Sequence, residues 1–238
     1  MTSIRKLAAL SLLASLVLTG CATTGENPKD PWERQNRAVF AFNEGVDKYA
    51  LKPVAQGYDY VLPTPVKTGV TNFFDNIGDL WIGVNNLLQG KPADAASDLG
   101  RLLINSTVGI LGVFDVATPM GLEKHEEDFG QTLGRWGAEP GPYVVLPVAG
   151  PRDVRDSGGL AVDLLLTDPL SYYPHQVAVR NSLRGVRLVN NRAVLLPAEK
   201  VIDEAALDKY SYLRDAYLQR RRNLVYDGNP PRPKDDDE

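Results

Sequence analysis

The chain has 238 residues, 26 basic and 30 acidic side chains, and a formal charge of −4. That length is enough for one sizeable core or two smaller ones. The acidic balance, with no broad basic face, argues against a nucleic-acid partner.

The N-terminus reads as a targeting segment. Arg5 and Lys6 precede an uncharged apolar run from Leu7 to Leu18. Such a run is too short for a bilayer core, which needs about 20 residues. Leu18-Thr19-Gly20-Cys21 resembles the bacterial lipobox, which implies removal of residues 1–20 and acylation of Cys21, the only cysteine. An ordinary secretory signal with an incidental cysteine is the alternative. Ala22, by resemblance to lipoprotein sorting, favours the outer over the inner membrane. Residues 21–29 form a small, polar tether.

Asp30-Pro31-Trp32-Glu33 reads as a helix start, with Asp30 as N-cap and Pro31 at the first helical position. Trp32, Val39, Phe42, Val46 and Tyr49 lie on one stripe at helical period, and Lys52-Pro53 should end the helix. Thr64-Pro65 repeats the cap-and-proline pair and predicts a second helix ending at Gly90. Its apolar residues, Phe73 and Phe74 among them, cover more than one face, and asparagines stand where a water-facing helix carries charge. This segment is expected to lie within one leaflet. Between Leu102 and Gly121 only Asp115 is charged.

Gly134 to Pro151 is rich in glycine and proline and reads as a loop or hairpin with many hinges. No convincing sheet and no internal repeat is evident. Helical patterns resume after Arg155, run again from His175 to Val194, and end with a helix from about Leu207 to Tyr226. Residues 229–238 read as a disordered acidic tail, leaving 30–228 as one helical domain.

Several patterns hint at chemistry and fall short of it. Asp156-Ser157-Gly158-Gly159 has a serine-protease flavour, but capping of the next helix by Asp156 or Ser157 is the plainer account. His125 among Glu123, Glu126, Glu127 and Asp128 lacks metal-binding spacing and reads as a solvated acidic connector. Arg220-Arg221-Arg222 suits anionic headgroups or an acidic partner, or is a solvated cluster favoured near a helix C-terminus. No metal site and no cofactor site is expected.

"DPWERQNRAVFAFNEGVDKYALKPVAQGY", "PTPVKTGVTNFFDNI", "VNNLLQGKPADA", "DFGQTLGRWG", "GPYVVLPVAGPRDVRD" and "GGLAVD" resemble, in order and register from Asp30 to about Asp163, the MlaA (VacJ) family of outer-membrane lipoproteins. The resemblance implies an all-α, ring-shaped, monotopic protein with a central amphipathic passage. It implies a transporter rather than an enzyme, facing the periplasm and anchored by lipid. Such a protein takes mislocalised phospholipids from the outer leaflet, passes them to a periplasmic lipid-carrier protein, and often sits beside trimeric porins.

The residues fit that expectation. Short apolar segments that cannot span can still lie in one leaflet. Exposing two acyl chains to water costs roughly 0.8 kcal/mol per methylene, so a moving phospholipid needs a shielded path. On this reading Phe40, Phe42, Asn43, Phe73 and Phe74 belong to the path, and the Phe40–Asn43 turn holds it at rest. Gly134, Gly137 and Gly141 are hinges, and Tyr143 to Leu146 is a short apolar lever in a gating loop. A structural or assembly lipoprotein of the envelope and a membrane-anchored lipid hydrolase are the alternatives.

Overall fold

The computed structural model describes residues 27–167 and 176–232. Cys21, the signal-like segment, His175 and residues 233–238 lie outside the described residues. Helix α1 (Glu33–Val46) takes Trp32, not Asp30, as its N-cap. Asp30 is buried, and its carboxylate accepts instead from Asn36, Tyr210 and Arg214. An amide, a phenol and a guanidinium satisfy a buried carboxylate better than a single helix-end amide would.

Lys52-Pro53 does not stop the helix. α1 runs through a π-helical turn (Asp47–Leu51) into α2 (Lys52–Val61), with Pro53 in the first turn of α2. There the missing N–H is not needed, and the wider π turn accommodates the ring. Helices α3 (Thr64–Leu88) and α4 (Pro92–Thr107) pack along each other across a short turn. Gly90 in that turn has φ of 77°, as its capping role requires.

Helix α5 (Phe129–Arg135) leads to strands β1 (Tyr143–Leu146) and β2 (Gly150–Asp153). The expectation of no sheet is therefore corrected: Tyr143 pairs with Asp153 and Leu146 with Gly150 in an antiparallel hairpin. Aromatic and β-branched residues at Tyr143-Val144-Val145 favour the extended form. Helix α6 (Val154–Val162) is capped by Asp153, whose side chain accepts from Asp156 N at 2.7 Å, and not by Asp156 or Ser157. A π-helical turn (Asp163–Thr167) comes next. Helices α7 (Val177–Val194), α8 (Leu196–Ala205) and α9 (Lys209–Val225) complete an all-helical architecture around the one small hairpin among the described residues.

The packing closes on itself. α2 packs on α7, α7 on α3, α3 on α5, α5 on α9 and α9 on β2. β2 pairs with β1, β1 packs on α1, and α1 returns through the π turn to α2.

Side-chain placement in this circuit is the reverse of a water-soluble domain, in which apolar groups are buried and charges are not. Polar and charged groups dominate the buried set, among them Asn76, Asp79, Asn85, Asn86, Asp98 and Arg101. Among the described residues, the buried apolar ones are Phe74, Tyr143, Val145, Tyr210, Val225 and four alanines. The predicted stripe of α1 splits: Val39 packs against the Tyr143 cluster, while Phe42 (56% exposed) and Tyr49 (80% exposed) point outward. Exposed apolar groups continue through Leu103, Val108, Ile110, Leu111 and Phe114. No described helix is long and apolar enough to cross a membrane.

Candidate functional site

The hairpin is fastened to α1 by two asparagines. Asn36 Nδ2 donates to Tyr143 O at 3.1 Å, and Asn36 Oδ1 accepts from Val145 N at 2.9 Å. Asn43 Nδ2 donates to Leu146 O at 3.0 Å, and Asn43 Oδ1 accepts from Val148 N at 2.8 Å. Beneath the strand, Tyr143 and Val145 pack with Tyr210 in an apolar cluster, joined by Phe40 and Tyr217. Phe40 meets Tyr210 edge-on, with ring centroids 5.6 Å apart.

The structure thus brings together Phe40, Asn43, Tyr143 and Leu146 and leaves the other expected residues elsewhere. Phe42 faces outward. Phe73 and Phe74 stack edge-on at 5.2 Å on α3, and Phe74 lines a separate cavity. Tyr143 is 1% exposed, so the apolar lever is anchored in the core rather than free to swing.

The three hinge glycines differ. Gly134 lies inside α5, where a Cβ would come within 2.7 Å of Arg155 Nη1, so it permits close packing and is not a hinge. Gly137 (φ 94°) ends α5, and Gly141 (φ 68°) faces Val154; both need the left-handed region that glycine enters freely. The part of the hairpin least held by the core is its tip, Pro147 to Gly150, where Val148 is 71% exposed at φ 64°.

Two buried ionic seams join the helices. Arg101, 2% exposed, reaches Asp115 at 3.0 Å and Asp79 at 3.6 Å. Burial pushes the Asp115 carboxyl up, but hydrogen bonds from Thr118, Arg101 and Asn105 outweigh it and hold the group at about 2. In the second seam Arg221 grips Asp128 with two 2.6 Å hydrogen bonds and also pairs with Asp156. Burial raises Asp128, yet the bonds and charge of Arg221 hold it below the usual carboxylate range. Asp153, beside Asp156, is pushed up to about 6 by burial.

These seams correct two expectations. The acidic run is a solvated connector only in part: Glu123 and Glu126 are exposed, but Glu127 pairs with Lys91 at 2.9 Å and Asp128 with buried Arg221. Nor is the arginine triplet a free cluster, since Arg221 is buried and bonded internally. His125 Nδ1 lies 3.1 Å from Asp98 Oδ1, and no group of three His, Cys, Asp or Glu among the described residues is placed to hold a metal ion. Ser157 Oγ donates to Asp153 O at 2.7 Å.

Asn36 and Arg214 were not singled out by sequence, and Asp30 and Arg221 were singled out for other roles, a helix cap and an anion-facing cluster. One signal was available for Asn36: it precedes Asn43 by seven residues, two helical turns on one face.

The comparisons with known proteins agree with this architecture. The MlaA lipoprotein family model matches residues 28–224. The intermembrane phospholipid transport system lipoprotein MlaA of Shigella flexneri is 34% identical over 238 residues, covering 97% of this chain and 92% of its own length. That of Escherichia coli (strain K12) is 33% identical over the same span and coverage. An uncharacterised protein of Rickettsia felis is 36% identical over 208 residues, covering 86% of this chain and 82% of its own. A solved structure described as "Structural basis for maintenance of bacterial outer membrane lipid asymmetry" matches with a TM-score of 0.70 and 34% identity, covering 84% of this chain and 99% of that one. The chain belongs to the MlaA lipoprotein family.

Proposed function

We propose that this protein is an outer-membrane lipoprotein that removes mislocalised phospholipids from the outer leaflet and passes them to a periplasmic carrier, keeping the two leaflets different. One observation carries the reading: a closed circuit of helices that turns apolar side chains outward and buries polar ones. Helices satisfy their own backbone groups, so such a body can rest in acyl chains without exposing hydrogen-bonding groups to them. A polar interior then offers headgroups a route that hydrocarbon does not.

The lipid moves unchanged, and the chain acts as a conduit rather than a catalyst. Cys21 carries the acyl anchor, and the exposed apolar groups from Leu103 to Phe114 make a second contact with the leaflet. The protein faces the periplasmic carrier and stands beside trimeric porins. The hairpin tip, held by Asn43, gates the route.

The test compares cells lacking this protein with cells that regain it. Outer-leaflet phospholipid is labelled by a membrane-impermeant amine reagent. Labelling should fall when the wild-type chain returns and stay high with Cys21→Ser. Equal labelling with and without the protein would overturn the reading. Fatty acid released from phospholipid by the purified protein would point to a hydrolase instead.

A further inference from the structure

We propose that the acidic stretch Asp235–Glu238 docks in cis into a basic groove on the exposed face of α9, where it covers Lys29, Arg220 and Arg222. The inference goes beyond the transport reading and does not depend on it.

The groove holds about 970 Å³ and runs along α9 from Asp215 to Asn223, with Asn27 and Lys29 on its other bank. Three cations line it: Lys29, Arg220 and Arg222. Neither Lys29 nor Arg222 has a carboxylate partner among the described residues. Arg220 pairs with Glu126, but both side chains are mostly exposed, so the pair is weak. Asp215 also lines the groove, and Arg214 Nε already holds it at 2.9 Å. Lys29 is fixed in place by its backbone. Its N–H donates to Asn27 Oδ1 at 3.0 Å, and its carbonyl accepts from Tyr143 N at 2.8 Å.

The chain comes back to this groove once α9 ends. Asp227 (φ 50°) and Gly228 (φ 83°) turn it, and Gly228 N donates to Asn223 O at 2.9 Å. Pro230 then lines the groove, and Pro231 O accepts from Arg222 Nη2, nine residues earlier. The polypeptide therefore runs back along α9, and Pro230 and Pro231 favour an extended path. Residues 233–238 can reach about 20 Å at roughly 3.3 Å each. The groove from Arg222 to Asp215 covers only about 10 Å of helix. Asp235, Asp236, Asp237 and Glu238 thus span it without full extension.

Charge selects the occupant. Residues 233–238 carry four carboxylates and one lysine, a net −3, against a groove whose free charges are positive. Tethering gives the stretch an effective concentration in the millimolar range, so exposed ion pairs too weak to join separate molecules suffice within one chain. Once docked, it keeps other anionic surfaces off this face of α9, and salt releases it.

The experiment treats the full chain in detergent with an amine-acetylating reagent and follows each lysine by mass spectrometry. Replacing the four carboxylates (Asp235→Asn, Asp236→Asn, Asp237→Asn and Glu238→Gln) should speed acetylation of Lys29 about threefold to tenfold, the worth of one or two exposed ion pairs. Lys200, exposed on α8 and outside the groove, should not change. Salt at about 1 M should bring the wild type to the variant's rate. A carbodiimide, which joins an amine to a carboxylate in direct contact, should link Lys29 to Asp235–Glu238 within one molecule. Arg222→Glu should lower that yield by a similar factor. Equal acetylation of Lys29 in wild type and variant would overturn the docking. Crosslinks from Asp235–Glu238 spread evenly over Lys29 and Lys200 would overturn it too.

Discussion

Asn36 and Asn43, two turns apart on α1, each close a pair of hydrogen bonds with the hairpin backbone and so supply what a third strand beside β1 would supply. The open edge of a two-stranded sheet is thereby covered by a helix. The two clamps differ in setting. Asn36 is buried and also bonds Asp30, whereas Asn43 holds the exposed tip.

Asn36→Ala should therefore cost about 3 kcal/mol, because it strands buried partners, and Asn43→Ala about 1 kcal/mol or less, because water replaces its bonds. Thermal denaturation measures both. Amide exchange should quicken at Val148 in Asn43→Ala and stay slow at Val145. Rapid exchange along all of β1 would show that tip and strand are one unit.

Deleting Phe42 and Asn43 removes about 200° of helix, so the face that carries Asn36 no longer aligns with the C-terminal end of α1. Only the Asn36 clamp can then engage. The protein should accumulate normally while outer-leaflet phospholipid rises. Unaltered phospholipid would make the clamp purely structural.

A gate at the tip predicts that tying it down stops transport. Proline at Gly137 or Gly141 is a poor probe, since their positive φ makes it strained whether or not the hairpin moves. A short reducible crosslink between Asn43→Cys and Val148→Cys is cleaner. Lipid retrieval should cease when it is closed and return on reduction to the level of the uncrosslinked Asn43→Cys/Val148→Cys protein, which lacks the Asn43 clamp and is the reference. Full retrieval in the closed form would leave the tip as part of a fixed wall.

Asp115 is held at about 2, below its unfolded value, so its contribution to stability is present above the unfolded value and is lost as pH falls through 2. Asp115→Ala should cost about 3 kcal/mol at pH 7, since it leaves buried Arg101 short of a partner. Asp153 has the opposite sign. Raised to about 6, it favours the fold most at low pH and loses that advantage as pH rises from about 4 to 6. Asp153→Asn, which keeps an N-cap, should gain on the order of 1 kcal/mol at pH 7 and nothing at pH 4. Denaturation midpoints from about pH 2 to pH 7 check both slopes.

The outward apolar groups predict which charges disturb membrane contact. Leu111→Glu and Phe114→Glu should release the protein from vesicles with little loss of stability. Phe74→Glu should instead unfold it, because Phe74 is buried. Flotation and thermal melting separate the two outcomes. Equal vesicle binding by all three variants would remove the leaflet contact.

The sequence was most readable where local chemistry decides. Thr64, Pro65 and Gly90 bracket α3 to within a residue or two, and the helical pattern from about Leu207 to Tyr226 located α9. It was least readable where the usual sorting of polar and apolar groups is inverted. Asn36, Arg101 and Arg221 look like solvent-facing residues and are buried, while the stripe through Phe42 and Tyr49 looks like a core face and is exposed. Pro53 misled because a π-helical turn, which periodicity does not reveal, carries the helix past it. The hairpin was half seen: its turn chemistry was plain, but its strand pairing depends on Asn36, 107 residues before Tyr143. The motifs that carried the family resemblance identified the chain where patterning could not.

The bond from Tyr210 to Asp30 spans 180 residues. During export the N-terminal half therefore waits for nearly the whole chain before its circuit can close. Contacts of such separation make for slow folding, and the open intermediate presents sticky apolar surface in an aqueous compartment. A premature stop anywhere before Lys209 would remove the closing helix along with Tyr210, Arg214 and Arg221. The product would be an unclosed chain headed for proteolysis, so quality control of this protein turns on whether α9 is made and docked.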